Sequence, residues 1–312
     1  MTYSQDPAPR PRRRAAAVLR TGLGAALALV TAGLVSVLVP LHWAEDTVVS
    51  QDGFTRVVGT LAEDRAFQED LARTAVNRAV GTLLGQRSSG IPFVDRLVRD
   101  AAGRAADVAA DLSAQPAYRE AWTRTLVRTH EANVPADGAA ADAPDDLVLD
   151  VQPLLEAVDG AVQQAVGVDL GLAERENRIT VPGTNTGRLV EAGTRLTDLA
   201  VPLTWAAVVL GLLALLVARH RFAVLAVLGL GTLAGLGVVW ALVQETVRRA
   251  AGPLGADPLV WLVSDRVLEL LTGSLAQWML TAAWAAGITG VVGVVGAVVV
   301  SSASRRRRRP TA

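Results

Sequence analysis

Along this chain, long apolar runs alternate with polar segments whose apolar positions recur at helical spacing. Nineteen mostly apolar residues run from Leu199 to Val217, the polar triplet Arg219-His220-Arg221 follows Ala218, and twenty-two more run from Phe222 to Val243. Each arm holds about 20 residues, which at about 1.5 Å rise apiece matches a hydrocarbon core of roughly 30 Å. The pair reads as a transmembrane hairpin. Two further runs, 15–41 and 278–300, are somewhat longer and of the same character. Four transmembrane helices are therefore predicted, at 15–41, 199–218, 222–243 and 278–300, with 219–221 as a turn. The first is expected to be an uncleaved signal anchor, because its apolar core is too long for a signal peptide and no small-x-small cleavage site follows it.

The segment 42–198 carries a different pattern. Val57, Leu61, Leu71, Ala75, Val80 and Leu84 recur near helical spacing, with a break at Glu63-Asp64. From Pro92, Val94, Val98, Ala101, Ala105, Val108 and Leu112 alternate steps of four and three, a heptad seam. A helix from Pro116 to about Asn133 would place Tyr118, Trp122, Leu126 and Thr129 on one face, and a proline- and acid-rich linker follows it. Beyond the linker, Leu147-Val148-Leu149 and Arg178-Ile179-Thr180-Val181 read as short strands flanking a helix from Pro153 to about Val166, so a minor two-stranded element is expected. Leu189, Gly193, Leu196, Ala200 and Leu203 then step by four and three into the second span. This predicts a helical stalk that enters the membrane without stopping, its outer third burying that stripe against protein. The shorter polar segment, 244–277, carries Leu259, Leu262, Val263, Val267, Leu270 and Leu271, the mark of an amphipathic helix expected near the membrane interface, with Trp261 and Trp278 at headgroup level.

Charge turns this pattern into a topology. The 30 basic and 30 acidic residues cancel overall, but 42–198 holds 25 acidic against 15 basic. Arginines collect instead at Arg12, Arg13 and Arg14, at Arg219 and Arg221, and at Arg305, Arg306 and Arg307. By the positive-inside rule those three regions are expected in the cytoplasm and the acidic segment outside. The expectation is an all-α membrane protein of four transmembrane helices, with a mainly helical extracytoplasmic domain at 42–198, a short outer loop at 244–277, a disordered basic tail at 1–14 and an arginine-rich tail at 301–312. All 30 basic residues are arginine, as a GC-rich genome encodes, and the absence of cysteine excludes disulfides, thiolate metal sites and thiol catalysis.

Candidate chemistry is sparse. Apart from Arg20 near the start of the first, the four spans contain no Asp, Glu, Lys, Arg or His, which argues against ion-coupled transport, proton relays and intramembrane proteolysis. Gly231 and Gly235 in the third span, and Gly287, Gly290, Gly293 and Gly296 in the fourth, form small-residue stripes suited to close helix packing rather than to lining a pore. His130-Glu131 opens like a zinc-protease motif, but the second histidine's place is taken by Val134. Asp137, Asp142, Asp145, Asp146 and Asp150 do not have calcium-loop spacing, and Gly183 to Arg188 is a turn rather than a phosphate loop. No metal, cofactor or catalytic residue is expected. The arginine runs should attract anionic lipid at the cytoplasmic face rather than nucleic acid.

The set Trp43, Ser50, Phe54, Tyr118-x-x-x-Trp122, His130, Leu149 to Leu155 and Ile179-Thr180-Val181 resembles a pattern seen in uncharacterised integral membrane proteins of actinobacteria. The resemblance runs from the first span through the second and implies no activity. The function expected is non-enzymatic: a multi-pass plasma-membrane protein whose outer domain binds an envelope partner or ligand and relays it inward. The alternative is a transport component resembling transmission-type ABC permeases, against which stands a turn at 219–221 too short for a coupling helix.

Overall fold

A computed structural model describes residues 11–74, 96, 111–113, 115–134, 143–166, 178–181, 186–218, 220–250 and 258–306. Most of the heptad seam, the linker aspartates Asp137 and Asp142, the turn at 182–185, Arg219 and Arg307 lie outside the described residues. The chain divides into two compact units. One comprises Met1–His42, Asp198–Glu245 and Leu275–Ala312, the other Trp43–Thr197 and Thr246–Ser274.

The first unit is built from parts of four helices: α1 (Pro11–Ala44), α7 (Ala200–Val217), α8 (Arg221–Ala250) and α9 (Pro258–Arg306). Four stretches, Arg20–Val49, Val190–Val217, Arg221–Arg249 and Pro258–Ser302, are long and apolar enough to cross a membrane. Their packing is inverted relative to a water-soluble core. Many of the buried positions are small or weakly polar, Ala28, Thr31, Ala32, Ser36, Ala200, Ala207 and Ala214, beside Leu38, Val224, Leu236, Leu275 and Met279, whereas Leu29, Val201, Trp205, Leu216, Val238, Trp284 and Val291 are exposed. So continuous an apolar exterior has no stable contact with water, while close approach through small residues is how helices associate in lipid. α1 begins at Pro11, so Arg12, Arg13 and Arg14 belong to its first turn rather than to a disordered tail, and Arg305 and Arg306 end α9.

The second unit is a small helical domain with one strand pair. A π-helical turn (Glu45–Val49) leads to α2 (Gln51–Val58), whose N-cap Ser50 accepts a hydrogen bond from the Gly53 amide at 3.2 Å. Gly53 is required there, since a Cβ would collide with the Asp46 carbonyl. After a 3-10 turn (Gly59–Ala62), Asp64 accepts from the Phe67 amide at 3.1 Å and starts α3 (65–74), placing the break where the sequence marks it. α4 (Pro116–Asn133) buries Tyr118, Trp122, Leu126 and Thr129. β1 (Leu147–Asp150) pairs antiparallel with β2 (Arg178–Val181), Leu147 opposite Val181 and Asp150 opposite Arg178, around α5 (Gln152–Val166). The core gathers Val58, Leu61, Phe67, Tyr118, Trp122 and Leu126.

Two expectations are corrected. The amphipathic stretch at 258–271 is not a separate interfacial helix but the first third of α9, and Leu262, Val263, Val267 and Leu270 pack against the second unit's core. An amphipathic stripe asks only for an apolar partner, and here protein supplies it where a bilayer surface was expected. The stripe of the stalk is the second: α6 (Thr186–Asp198) runs through a turn at Leu199 into α7, and Val190–Val217 forms one helical stretch, but its expected apolar stripe is not buried throughout. Pro202 has no N–H to give the Asp198 carbonyl, so the ladder loses a rung at that point. Leu196 is 51% exposed, and Thr197 and Ala200 are the buried positions beside it.

Candidate functional sites

In the second unit, several polar side chains of the core bond to the backbone or to one another, while Trp122 Nε1 and Thr125 Oγ1 are buried without a partner among the described residues. The Tyr118 hydroxyl donates to Gln68 Oε1 at 2.7 Å, and Gln68 Nε2 donates to the Leu61 carbonyl at 2.8 Å. Burial pushes the Tyr118 phenol up to about 12. Asn133 replaces a third strand: its amide nitrogen donates to the Val148 carbonyl at 2.7 Å and its oxygen accepts from the Val148 amide at 3.0 Å, closing one edge of β1. Thr129 Oγ1 accepts from the Asp150 amide at 3.1 Å.

His130 lies in the same face of α4. Its Nε2 is 3.0 Å from the Val48 carbonyl, which can only accept, so that nitrogen carries the proton. The Phe54 ring is 5.4 Å from the imidazole, and the neighbouring Glu131 accepts from Gln51 at 3.0 Å. His130 and Glu131 thus tie α4 to the segment before and within α2. Among the described residues no three of His, Asp and Glu cluster together. Phe54, Tyr118, Trp122 and His130, scattered through the sequence pattern noted above, converge around one core.

One long-range ion pair was not visible in the sequence. Arg266 on α9 donates to Asp64 Oδ2 at 2.6 Å and also to Glu269. The guanidinium holds the Asp64 carboxyl below its ordinary value, helped by the Phe67 amide. Asp64 therefore caps α3 with one oxygen and anchors α9 with the other.

In the first unit, the glycines divide by what they face. Gly231 approaches Ala32 of α1, whose Cβ would stand 3.0 Å from one built on the glycine, and Gly235 faces Ser36. Ser36 Oγ lies 2.8 Å from the Ala32 carbonyl in its own helix and 3.2 Å from the Thr232 carbonyl in α8. Gly293 meets the Ala226 backbone, Gly296 the Phe222 ring and Gly290 the Gly229 backbone, whereas Gly287 has open space where a Cβ would stand. Gly229, the position sequence reasoning passed over, makes the closest of the α8–α9 approaches to backbone, together with Gly293. Its spacing from Gly231 and Gly235 puts it on another face of α8, and only the fourth helix reveals what that face meets. The stalk residues Leu189 and Gly193 lie in α6, Gly193 with no neighbour among the described residues within 4 Å of a built Cβ. Arg221 opens α8 and is exposed.

The same unit contains a cleft of about 820 Å³ that is open on one side, between α1, α7 and α9. At one end stand His42, Thr204 and Gln277, and its depth is lined by apolar side chains such as Leu38, Ala207 and Ala285. His42 Nε2 is 3.0 Å from Thr204 Oγ1. The Thr204 hydroxyl gives its proton to the Ala200 carbonyl at 2.7 Å, so it accepts from the imidazole. No family model matches this chain, and no curated protein or solved structure does so.

Proposed function

We propose that the protein is a multi-pass plasma-membrane protein that does no chemistry itself and presents its second unit outside the membrane to bind a protein or ligand of the cell envelope. The observation that carries this reading is the contrast between the units. One exposes many large apolar side chains and buries many small or weakly polar ones, and the other has a closed aromatic core and lies mostly in the acidic segment 42–198. The arginines at 12–14, 219, 221 and 305–307 favour placing both termini and the α7–α8 turn in the cytoplasm, beside anionic lipid. An event at the second unit has a covalent route inward, because α9 belongs to that unit up to Ser274 and to the first unit from Leu275. Against the permease reading stands the connection between α7 and α8, which spans only 218–220.

The test uses the lack of native cysteine. Single cysteines at His220, Ser301 and Arg178 are treated in intact cells with an impermeant maleimide. Only Arg178→Cys should label, and labelling at His220→Cys or Ser301→Cys overturns the topology. Cross-linking from Arg178→Cys, followed by purification, should then capture a secreted or envelope protein; recovery of a cytoplasmic ATPase in its place favours the permease.

A further inference from the structure

The cleft of the first unit is not used by the reading above, and its chemistry is graded along its length. α1 runs into it from Val35 to His42, about 10 Å at 1.5 Å per residue, and α9 runs from Gln277 to Ala285, about 12 Å. Along the cleft α1 advances from Val35 to His42, α7 from Thr204 to Val208 and the middle of α9 from Gln277 to Ala285; with α1 running opposite to α7 and α9, His42, Thr204 and Gln277 share one level and Val35, Val208 and Ala285 share the other. Among the described residues that line the cleft, hydrogen-bonding groups stand only toward the first level, with Thr281 one turn below Gln277, and none is Asp, Glu, Lys or Arg. The Gln277 side chain is exposed and finds no protein partner among the described residues, so it has both a donor and an acceptor to offer. A polar group at the edge of a membrane-spanning bundle with no protein partner must bond to water, to a headgroup or to a ligand.

We propose that this cleft binds one acyl chain of a membrane lipid whose head is uncharged and carries hydroxyl or ester oxygens, as in a monoacylglycerol. The chain fills the apolar depth between Leu38, Ala207 and Ala285, and the head bonds to the Gln277 amide beside the His42–Thr204 pair. A volume of about 820 Å³ falls within the ordinary range for small-molecule sites and suits one chain with a small head. A charged head would meet no opposite charge among the lining residues and would be desolvated without compensation. The open side lets the chain enter from the bilayer without passing through water.

The experiment reconstitutes the full chain in phosphatidylcholine nanodiscs with a trace of monoacylglycerol bearing a diazirine on its acyl chain, followed by photolysis and peptide mapping. Label per residue at 35–42, 204–208 and 277–285 should exceed that on the lipid-facing stretch 291–295 at least fivefold. Unlabelled monoacylglycerol should compete it away, whereas a hydrocarbon of equal length should not. Ala285→Phe, which fills an exposed position of the cleft, should reduce the label to the level of 291–295, and Gln277→Leu should abolish the advantage of monoacylglycerol over hydrocarbon as competitor. Label spread evenly over the apolar exterior, or equal competition by hydrocarbon and monoacylglycerol in the unsubstituted protein, overturns the proposal and leaves only ordinary boundary lipid.

Discussion

The contact between α8 and α9 can be tested with one methyl group. Replacing Gly229 by alanine puts a Cβ 2.5 Å from the Ala286 carbonyl oxygen and 2.5 Å from the Gly290 Cα. Carbon atoms in contact prefer roughly 3.5–4.0 Å, so the two backbones must part by about 1 Å, and neither can rotate away as a flexible side chain would. Overpacking of this kind costs about 1–3 kcal/mol. Alanine's better helix propensity returns at most about 1 kcal/mol, so a net loss of about 1–2 kcal/mol is expected. Gly287→Ala in α9 is the control, because nothing stands within 4 Å of its built Cβ. It keeps the propensity gain without the collision and should be neutral or stabilising by up to about 1 kcal/mol. The assay is reversible unfolding of the purified protein in mixed micelles with rising SDS, followed by far-ultraviolet circular dichroism. If Gly229→Ala and Gly287→Ala move the midpoint by the same amount in the same direction, α8 and α9 do not meet at Gly229 and the helix arrangement is wrong.

The second unit offers four more tests. Tyr118→Phe leaves Gln68 Oε1 without its donor and should cost about 1–3 kcal/mol in chemical denaturation, as a buried acceptor left unpaired does. Because the Tyr118 phenol titrates at about 12 when folded against 10.0 otherwise, its contribution is complete below pH 10 and is lost as pH rises from there through 12; the wild type should become less stable over that interval by about 2–3 kcal/mol, and Tyr118→Phe should lose that part of the slope. Asp64 works in the opposite sense, its carboxyl being lowered from 3.8, so its stabilisation is present above that value and disappears as pH falls through the lower folded-state value. Since the Arg266 and Asp64 side chains are 39% and 27% exposed, a double-mutant cycle of Asp64→Asn with Arg266→Gln should give a weak coupling that fades as salt is added; a strong coupling indifferent to salt would mean that the pair is shut away from water.

Local signals in this chain were strong wherever a residue's neighbours in sequence are also its neighbours in space. Apolar runs of membrane length give the four spans, the 3.6-residue recurrence of Tyr118, Trp122, Leu126 and Thr129 gives α4 with its buried face, and the β-branched residues of 178–181 give the strand that pairs with 147–150. Periodicity also shows that 258–271 has an apolar face, but a stripe is satisfied equally by a bilayer surface or by a protein core. Only the fold decides that Leu262, Val263 and Val267 join Phe67 and Trp122. The same limit holds for glycine: every Gly in a span permits close approach, yet whether Gly229 meets a backbone and Gly287 meets nothing depends on where another helix has been placed. The Asp64–Arg266 pair spans 202 residues, and no spacing rule reaches that far. The cleft, likewise, is a property of no single helix. His42, Thr204 and Gln277 are unremarkable polar residues in the sequence, and they come to one level only through the packing of α1, α7 and α9, which the tertiary structure alone selects.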